Sequence, residues 1–296
     1  MNNKHTLFYR IRGKVIRILA PYLSDALFLK LLFKHRVGYK LDLKKPQSYN
    51  EKLQWLKLNN IHPEYTQMVD KIEAKRYVAS IIGEEYIIPT IGVYNNVDEI
   101  DFDKLPQQFV LKCTHDSGGI VVCKDKSKLD IEQVKAKLRK GWGGNYFKYN
   151  REYPYRDVKP RIIVEVYMED ESGYELKDYK FFCFNGEPRF FKIDFNRLKN
   201  HRANYYDLNM NLQEFGEKKF PPNPSVNFLK PANFEKMISI ARQLAGNIPF
   251  VRIDLYNVNG HIYFGEITFF PASGMGQFTS NEWDYRIGDL LQLPLT

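Results

Sequence analysis

Val251-Arg252-Ile253-Asp254-Leu255-Tyr256-Asn257-Val258-Asn259-Gly260, running straight into His261-Ile262-Tyr263-Phe264-Gly265-Glu266-Ile267-Thr268, is the stretch on which the reading of this chain turns. Polar and apolar residues alternate along the first half, and Asn-Gly closes it, the pattern of an antiparallel hairpin with one face in a core. Arg252 and Asp254 share one face of their strand, and Glu266 and Thr268 share one face of theirs. Ile253, Leu255, Phe264, Ile267 and Phe269 are apolar and predict the buried side.

Whether the two polar faces coincide depends on the turn. A two-residue Asn259-Gly260 loop pairs residue 254 with 265 and sends Asp254 and Glu266 to opposite sides. A three-residue loop, Val258-Asn259-Gly260 with Gly260 left-handed, pairs 254 with 264 and 252 with 266, and all four polar groups face one way. In that register Asp254 and Glu266 are diagonal neighbours within about 8 Å, close enough to clamp a hard cation that prefers oxygen ligands. Mg²⁺ carrying a nucleotide is the natural occupant; the plainer account is a surface hairpin with alternating polar positions.

Upstream, Phe109-Val110-Leu111-Lys112 reads as a strand ending in a lysine, followed after Cys113 by the loop Thr114-His115-Asp116-Ser117-Gly118-Gly119. Glycine lets backbone N–H groups come close to a polyphosphate, and the lysine supplies a cation. Alone, an ordinary hairpin explains this equally well, because neither the Walker pattern nor the dinucleotide fingerprint is present. Glu165 lies inside the apolar run 162–168, where an unpaired charge costs several kcal/mol, so a polar group should meet it. Asp178 and Lys180 share a face ahead of the apolar stretch 181–184. Arg197, His201 and Arg202, with the turn Ser273-Gly274-Met275-Gly276, are candidates to hold an anionic acceptor, although loop solvation explains them almost as well.

With 296 residues, 44% hydrophobic and 15% aromatic, the chain can bury one large or several modest cores and is too apolar to be disordered. No apolar run approaches the ~18 residues of a membrane-spanning helix, since Arg10, Arg12, Lys14, Arg17, Asp25, Lys30 and Lys34 interrupt the one candidate region. The net charge of +9 calls for an anionic partner, yet no zinc-finger spacing, aromatic RNA-binding signature or long basic run points to nucleic acid. Three cysteines, without metal-like spacing, make a reducing cytoplasm the simplest location. Cys113 and Cys123 read as small apolar strand residues.

Two basic amphipathic helices, broken by Pro21, are predicted over 6–37 from the recurrence of Leu7, Ile11, Val15, Ile18 and Leu19, then Leu27, Leu31 and Leu32. The favoured account packs their apolar stripe on the body and leaves a solvated basic face; the sharper one is peripheral contact with the inner, anionic face of a membrane. Ser48 with Glu51 is a capping box opening a helix through 58. A further helix is predicted over 70–82, one over 130–140 closed by Gly141, and one from Pro231 to Gly246. Short apolar runs at 86–93, 108–113, 120–123, 162–168, 179–184 and 189–194 read as strands of a mixed α+β body.

In this order the elements resemble the ATP-grasp superfamily, specifically its TupA-like branch, associated with teichuronopeptide and other surface-polysaccharide biosynthesis. The residues that carry the resemblance are Tyr49 through Trp55, Asp70-Lys71, Phe109 through Lys112, the His115-to-Gly119 loop, Asp178 through Gly186, and Arg252-Ile253-Asp254 with Glu266-Ile267-Thr268. The resemblance implies an ATP-grasp fold, two α+β subdomains clamping ATP, preceded by a helical region: 1–68 helical, 69–166 the subdomain with the glycine loop, 167–296 the subdomain with the Mg²⁺ hairpin. It implies that Lys75 and Lys112 bind ATP phosphates under the Ser117-Gly118-Gly119 loop. Glu165, Tyr167 and Met168 would belong to the hinge that reads adenine, and Asp178 would take the ribose. Lys180, Arg202 and Arg252 would serve the reaction, Arg252 by neutralising the transferring phosphoryl group. Asp254, Glu266 and Thr268 would hold Mg²⁺; many ATP-grasp enzymes carry Asn at the position of Thr268.

The implied activity is a carboxylate–amine ligase that forms an acyl phosphate with Mg-ATP and passes it to an amine or amino acid. The implied carboxylate belongs to a uronic acid, or a glycan-linked amino acid, of a capsule, O-antigen or teichuronopeptide. The rival is a nucleotide-sugar glycosyltransferase with Asp101-Phe102-Asp103 as its metal motif, although a solvated turn explains those acids more cheaply.

Overall fold

The computed structural model describes residues 3–116, 118–173, 175–197 and 200–295, with side chains from residue 7 onward. Two helices lead, α1 (Asn3–Leu19) and α2 (Asp25–Arg36), joined by a 3-10 turn at Pro21. They pack through Ile16, Ala20, Phe28, Leu29, Leu32 and Phe33. The stripe expected to face the body does not. Ile18 is 70% exposed, Leu7 59%, Ile11 49%, Val15 46% and Leu19 43%, because Ile16 on the opposite side of α1, with Ala20 of the following turn, takes the contact with α2.

α3 (Tyr49–Asn59) opens as expected: the Ser48 hydroxyl accepts from Glu51 N–H at 3.2 Å and the Glu51 carboxylate from Ser48 N–H at 3.1 Å. The helix predicted over 70–82 starts only at Glu73, as α5 (Glu73–Ile82), and a separate short helix that was not expected, α4 (Tyr65–Val69), precedes it. Asp70 between them is extended; its carboxylate accepts from Ile72 N–H and binds the Arg161 guanidinium, each at 2.8 Å, and so serves as a start signal.

The first sheet is wholly antiparallel, in the order β1 (Thr90–Tyr94), β4 (Ile162–Val166), β2 (Phe109–Cys113), β3 (Ile120–Cys123). α6 (Ile131–Trp142) covers it through Val134 and Leu138, and α7 (Tyr146–Asn150) follows. Gly141 was expected to end α6 but lies inside it. A Cβ there would come within 3.0 Å of Gly119 Cα, so this glycine serves close approach to the loop, not termination.

The second sheet is antiparallel in the order β7 (Arg202–Asp207), β6 (Glu187–Phe195), β5 (Asp178–Phe184), β8 (Phe250–Val258), β9 (His261–Thr268). The sequence reading passed over β7. α8 (Phe234–Ala245), which starts three residues later than expected and is capped by Gly246, presses Phe234 against Phe181 and Phe191 on one face. On the other face Tyr49 of α3 meets Phe184 and Phe250, and α9 (Asn281–Asp289) lies against α3. α3 covers only one end of that face, and the other end carries charged side chains.

Candidate active site

The hairpin reaches the polar arrangement by a route the sequence reading set aside. The loop has two residues, Asn259 (φ 52°) and Gly260 (φ 83°), with Val258 opposite His261. Taken alone, that loop would scatter the acids. The register then shifts between Asp254 and Leu255: Leu255 pairs with Phe264, but Asp254 pairs with Glu266, leaving Gly265 as the extra residue of a bulge. A Cβ on Gly265 would sit 2.9 Å from the Asp254 carbonyl oxygen, which explains glycine there. Asp254 faces Glu266, Arg252 faces Thr268, and all four point one way.

Asp254 is buried and is the hub. One of its oxygens accepts from Arg252 Nε at 2.6 Å; the other accepts from Lys180 Nζ at 2.5 Å and Arg252 Nη2 at 2.7 Å. Arg252 Nη2 also donates to Glu266 at 2.7 Å and to the Thr268 hydroxyl at 3.0 Å. Glu266 is the member of the acid pair open to solvent, its side chain 44% exposed. Burial opposes its charge, but Arg252, Lys180 and Lys71 outweigh that and hold its pKa at about 2. Burial likewise opposes the charge on Arg252, and Asp254 and Glu266 raise its pKa well above the usual value.

The cluster continues across the sheet. Lys180 stands 3.1 Å from Asp178, which also takes Arg197 at 2.7 Å. On β6, Asp194 binds His201 at 2.9 Å, and Lys192 binds Glu217 at 2.9 Å. Burial opposes Asp194's charge, yet Lys192, His201, Lys180 and Arg197 hold its pKa well below the carboxylate range.

In the first sheet Glu165 has the polar company its burial demands. Lys112 reaches it at 2.5 Å from the neighbouring strand, and Lys75 reaches it from α5. Lys75 also donates to the Ile88 carbonyl at 2.7 Å and Thr90 Oγ1 at 2.9 Å. Burial works against the Glu165 charge, but Lys112 and Lys75 keep its pKa below the ordinary value. The N–H groups of Gly118 and Gly119 are held by the Asp116 carboxylate at 3.1 and 2.8 Å; Ser117 lies outside the described residues.

Lys71 is held at the glycine loop: its backbone N–H donates to the Thr114 carbonyl at 3.4 Å and its ammonium to the Asp116 carbonyl. After burial, the charges of Glu266, Lys112 and Asp116 act on it. Burial lowers its pKa. Two charged clusters result: Lys75 and Lys112 on Glu165 in the first sheet, and Arg252 and Lys180 among Asp254, Glu266 and Asp178 in the second.

Other expectations place differently. Arg202 pairs with Phe195, and the two-residue period puts it on the α8 side of the sheet, opposite Asp194 and Lys192. Tyr167 and Met168 fall beyond β4, which stops at Val166; the Tyr167 hydroxyl donates to Glu169 at 2.8 Å. Ser273 and Gly274 are anchors for α3: Gln54 and Lys57 donate to the Ser273 carbonyl at 3.3 and 2.8 Å. Asp101 caps Asp103 N–H at 3.2 Å and pairs with Lys104 at 3.0 Å in an exposed turn. Lys192 and Asp194 were missed although their alternation repeats that of Asp178 and Lys180. Glu217 had no local signal, being brought in by a bridge to Phe278.

Mg²⁺ and a nucleotide fit these residues. The donors are carboxylate oxygens, cationic heads stand on them, and Asp178 Oδ1 is buried without a hydrogen-bond partner among the described residues. Among the described residues no three His, Cys, Asp or Glu side chains are grouped to hold a metal by themselves. Mg²⁺ takes one or two carboxylates and fills its other positions with phosphate oxygens and water.

Compared with known proteins, residues 51–292 match the family described as TupA-like ATPgrasp. No curated protein matches. Among solved structures, the D-alanine–D-alanine ligase from Bacillus anthracis complexed with ATP is 13% identical with TM-score 0.42, covering 75% of this chain and 62% of that one. The ligase from Helicobacter pylori is 15% identical with TM-score 0.44, covering 82% and 67%. The ATP-grasp ligase PsnB complexed with a precursor variant, Mg and ADP is 7% identical with TM-score 0.38, covering 74% and 56%. The chain thus spans less than two thirds of the first and third of these proteins.

Proposed function

The chain belongs to the TupA-like ATP-grasp family, and from that premise we propose that it is a Mg-ATP-dependent carboxylate–amine ligase. The observation that carries the reading is the facing of Arg252, Asp254, Glu266 and Thr268 on one hairpin. Asp254 and Glu266, with Thr268 beside them, would hold Mg²⁺, which when bound screens phosphate charge. Lys75 and Lys112 would take the ATP phosphates in place of Glu165, and the Gly118-Gly119 segment would close over them when its N–H groups leave Asp116. The end of β4 through Met168 would receive adenine, with Asp178 at the ribose.

An oxygen of the substrate carboxylate attacks the γ-phosphorus and ADP leaves. The amine nitrogen then attacks the acyl carbon, phosphate leaves, and the nitrogen loses a proton. Arg252 and Lys180 neutralise the charge gathered during both steps, since positioning and electrostatics dominate phosphoryl transfer. The carboxylate we assign is a uronic acid, or a glycan-linked amino acid, of a surface polysaccharide, joined to an amine or amino acid.

Thermal unfolding with Mg-ATP, ATP plus chelator, and Mg-UDP-sugars tests this. Stabilisation that needs both Mg²⁺ and ATP and disappears in Lys112→Ala is expected, followed by ADP release in a screen of uronic acids against amines. Stabilisation by a UDP-sugar alone would overturn the ligase in favour of a glycosyltransferase.

A further inference from the structure

Among the described residues, the outer face of α1 has no partner in the fold. Phe8, Ile11, Val15 and Ile18 follow one another at spacings of three and four, so they lie on one stripe, and Tyr22 in the turn beyond it is exposed as well. Phe8 is 70%, Ile18 70% and Tyr22 85% exposed, while Ile16 and Ala20 on the reverse side are buried against α2. Isolated exposed apolar residues are ordinary; a continuous stripe the length of a helix is not.

The stripe is flanked by cations. Arg10, Lys14 and Arg17 lie along one border and Arg12 along the other, and α1 contains no acid. Exposed Lys30 and Lys34 of α2 add to the same end of the molecule. The field there is positive enough to register inside: burial, then Arg12, Arg36 and Arg17, lower the pKa of His35, which stacks under Tyr9 at 4.0 Å. Among the described residues no helix is long and apolar enough to cross a membrane, so any lipid contact has to lie in the interface plane.

We propose that α1 docks by this face on an anionic lipid bilayer, its apolar stripe entering the headgroup boundary and its basic borders meeting lipid phosphates. At 17 residues the helix is about 25 Å long and lies flat. Interfacial helices have this composition: a narrow apolar face, a cationic polar face and low mean hydropathy. Charge complementarity selects lipid over a second copy of the chain, because two α1 helices placed face to face would bring their cations together with no acid between them. The proposal does not depend on the ligase reading, as no residue of α1 belongs to the acid-base cluster.

The test is flotation of the full chain with phosphatidylcholine vesicles, with and without 30% phosphatidylglycerol. We expect binding only when the anionic lipid is present. Raising salt from about 0.1 to about 0.5 M should weaken binding at least tenfold, since the Debye length falls below the reach of the basic borders. Phe8→Ser/Ile11→Ser/Ile18→Ser should abolish binding, and Arg10→Gln/Lys14→Gln should weaken it. These positions face solvent, so both variants should keep the wild-type unfolding temperature. Failure to float, equal binding to neutral vesicles, or a dimer in light scattering that the triple variant dissolves without any lipid binding would each overturn the proposal.

Discussion

At the scale of single residues the site is governed by Asp254, one carboxylate holding two buried cations. Replacing it by Asn keeps the shape but leaves Arg252 and Lys180 without their shared counter-charge, and breaking a buried pair costs about 3–5 kcal/mol. Asp254→Asn should therefore lower the denaturation midpoint as well as abolish turnover; an unchanged midpoint would show that the cations find other partners. Glu266 gives the pH dependence. Its pKa is about 2 folded against 4.5 free, so the unfolded chain binds more protons between those limits. Its stabilisation is complete above about pH 4.5 and is lost as pH falls toward 2; Asp194 acts in the same direction. Urea midpoints measured from pH 6 to 3 should fall, and fall less steeply in Glu266→Gln; parallel curves would count against the assigned shift. Glu165 was singled out in the sequence because a charge inside an apolar strand is a local anomaly, and Lys112 because it ends a strand ahead of a glycine loop. Their direct pairing was not legible, since it depends on β4 lying beside β2.

At the scale of elements, the β8–β9 hairpin shows where a sequence reading stops. Alternation and Asn-Gly identify the strands and their turn, but one unpaired residue reverses every later side chain. Gly265 was visible only as a glycine within a strand; its role as the bulge follows from its close approach to the Asp254 carbonyl. In Gly265→Ala the methyl group meets that oxygen at 2.9 Å and the Tyr256 ring at 3.1 Å. Overpacking of this kind costs about 1–3 kcal/mol. A slip to the unbulged register would carry Glu266 to the α8 side. We expect Gly265→Ala to lose Mg-ATP stabilisation by more than its loss of intrinsic stability accounts for; a variant that binds Mg-ATP normally would refute the bulge as the device that aligns the acids. α6 teaches the same lesson, since Gly141 read as a stop and proves to be a point of close packing on the glycine loop.

At the scale of the whole molecule, the proposed nucleotide would take Lys75 and Lys112 of the first cluster and the Mg²⁺ acids of the β8–β9 hairpin together, so binding should stiffen both sheets. A ligand at 100 times its Kd adds about 2.7 kcal/mol, a rise of roughly 4–6 °C for a chain of this size. That shift, read with and without chelator, is the magnitude to expect in the Mg-ATP experiment. The sequence by itself determined the mixed α+β class, most of the helices and strands, the Ser48 capping box, and the residue types gathered on the last hairpin. Each is written in local periodicity or in a cap that spans three or four residues. Tertiary structure alone decided which charges meet: Glu165 with two lysines from different elements, Lys192 with Glu217, and Arg202 turned away from Asp194. It also turned the apolar stripe of α1 outward, because periodicity fixes that residues share a face, whereas only packing against α2 fixes which face is buried.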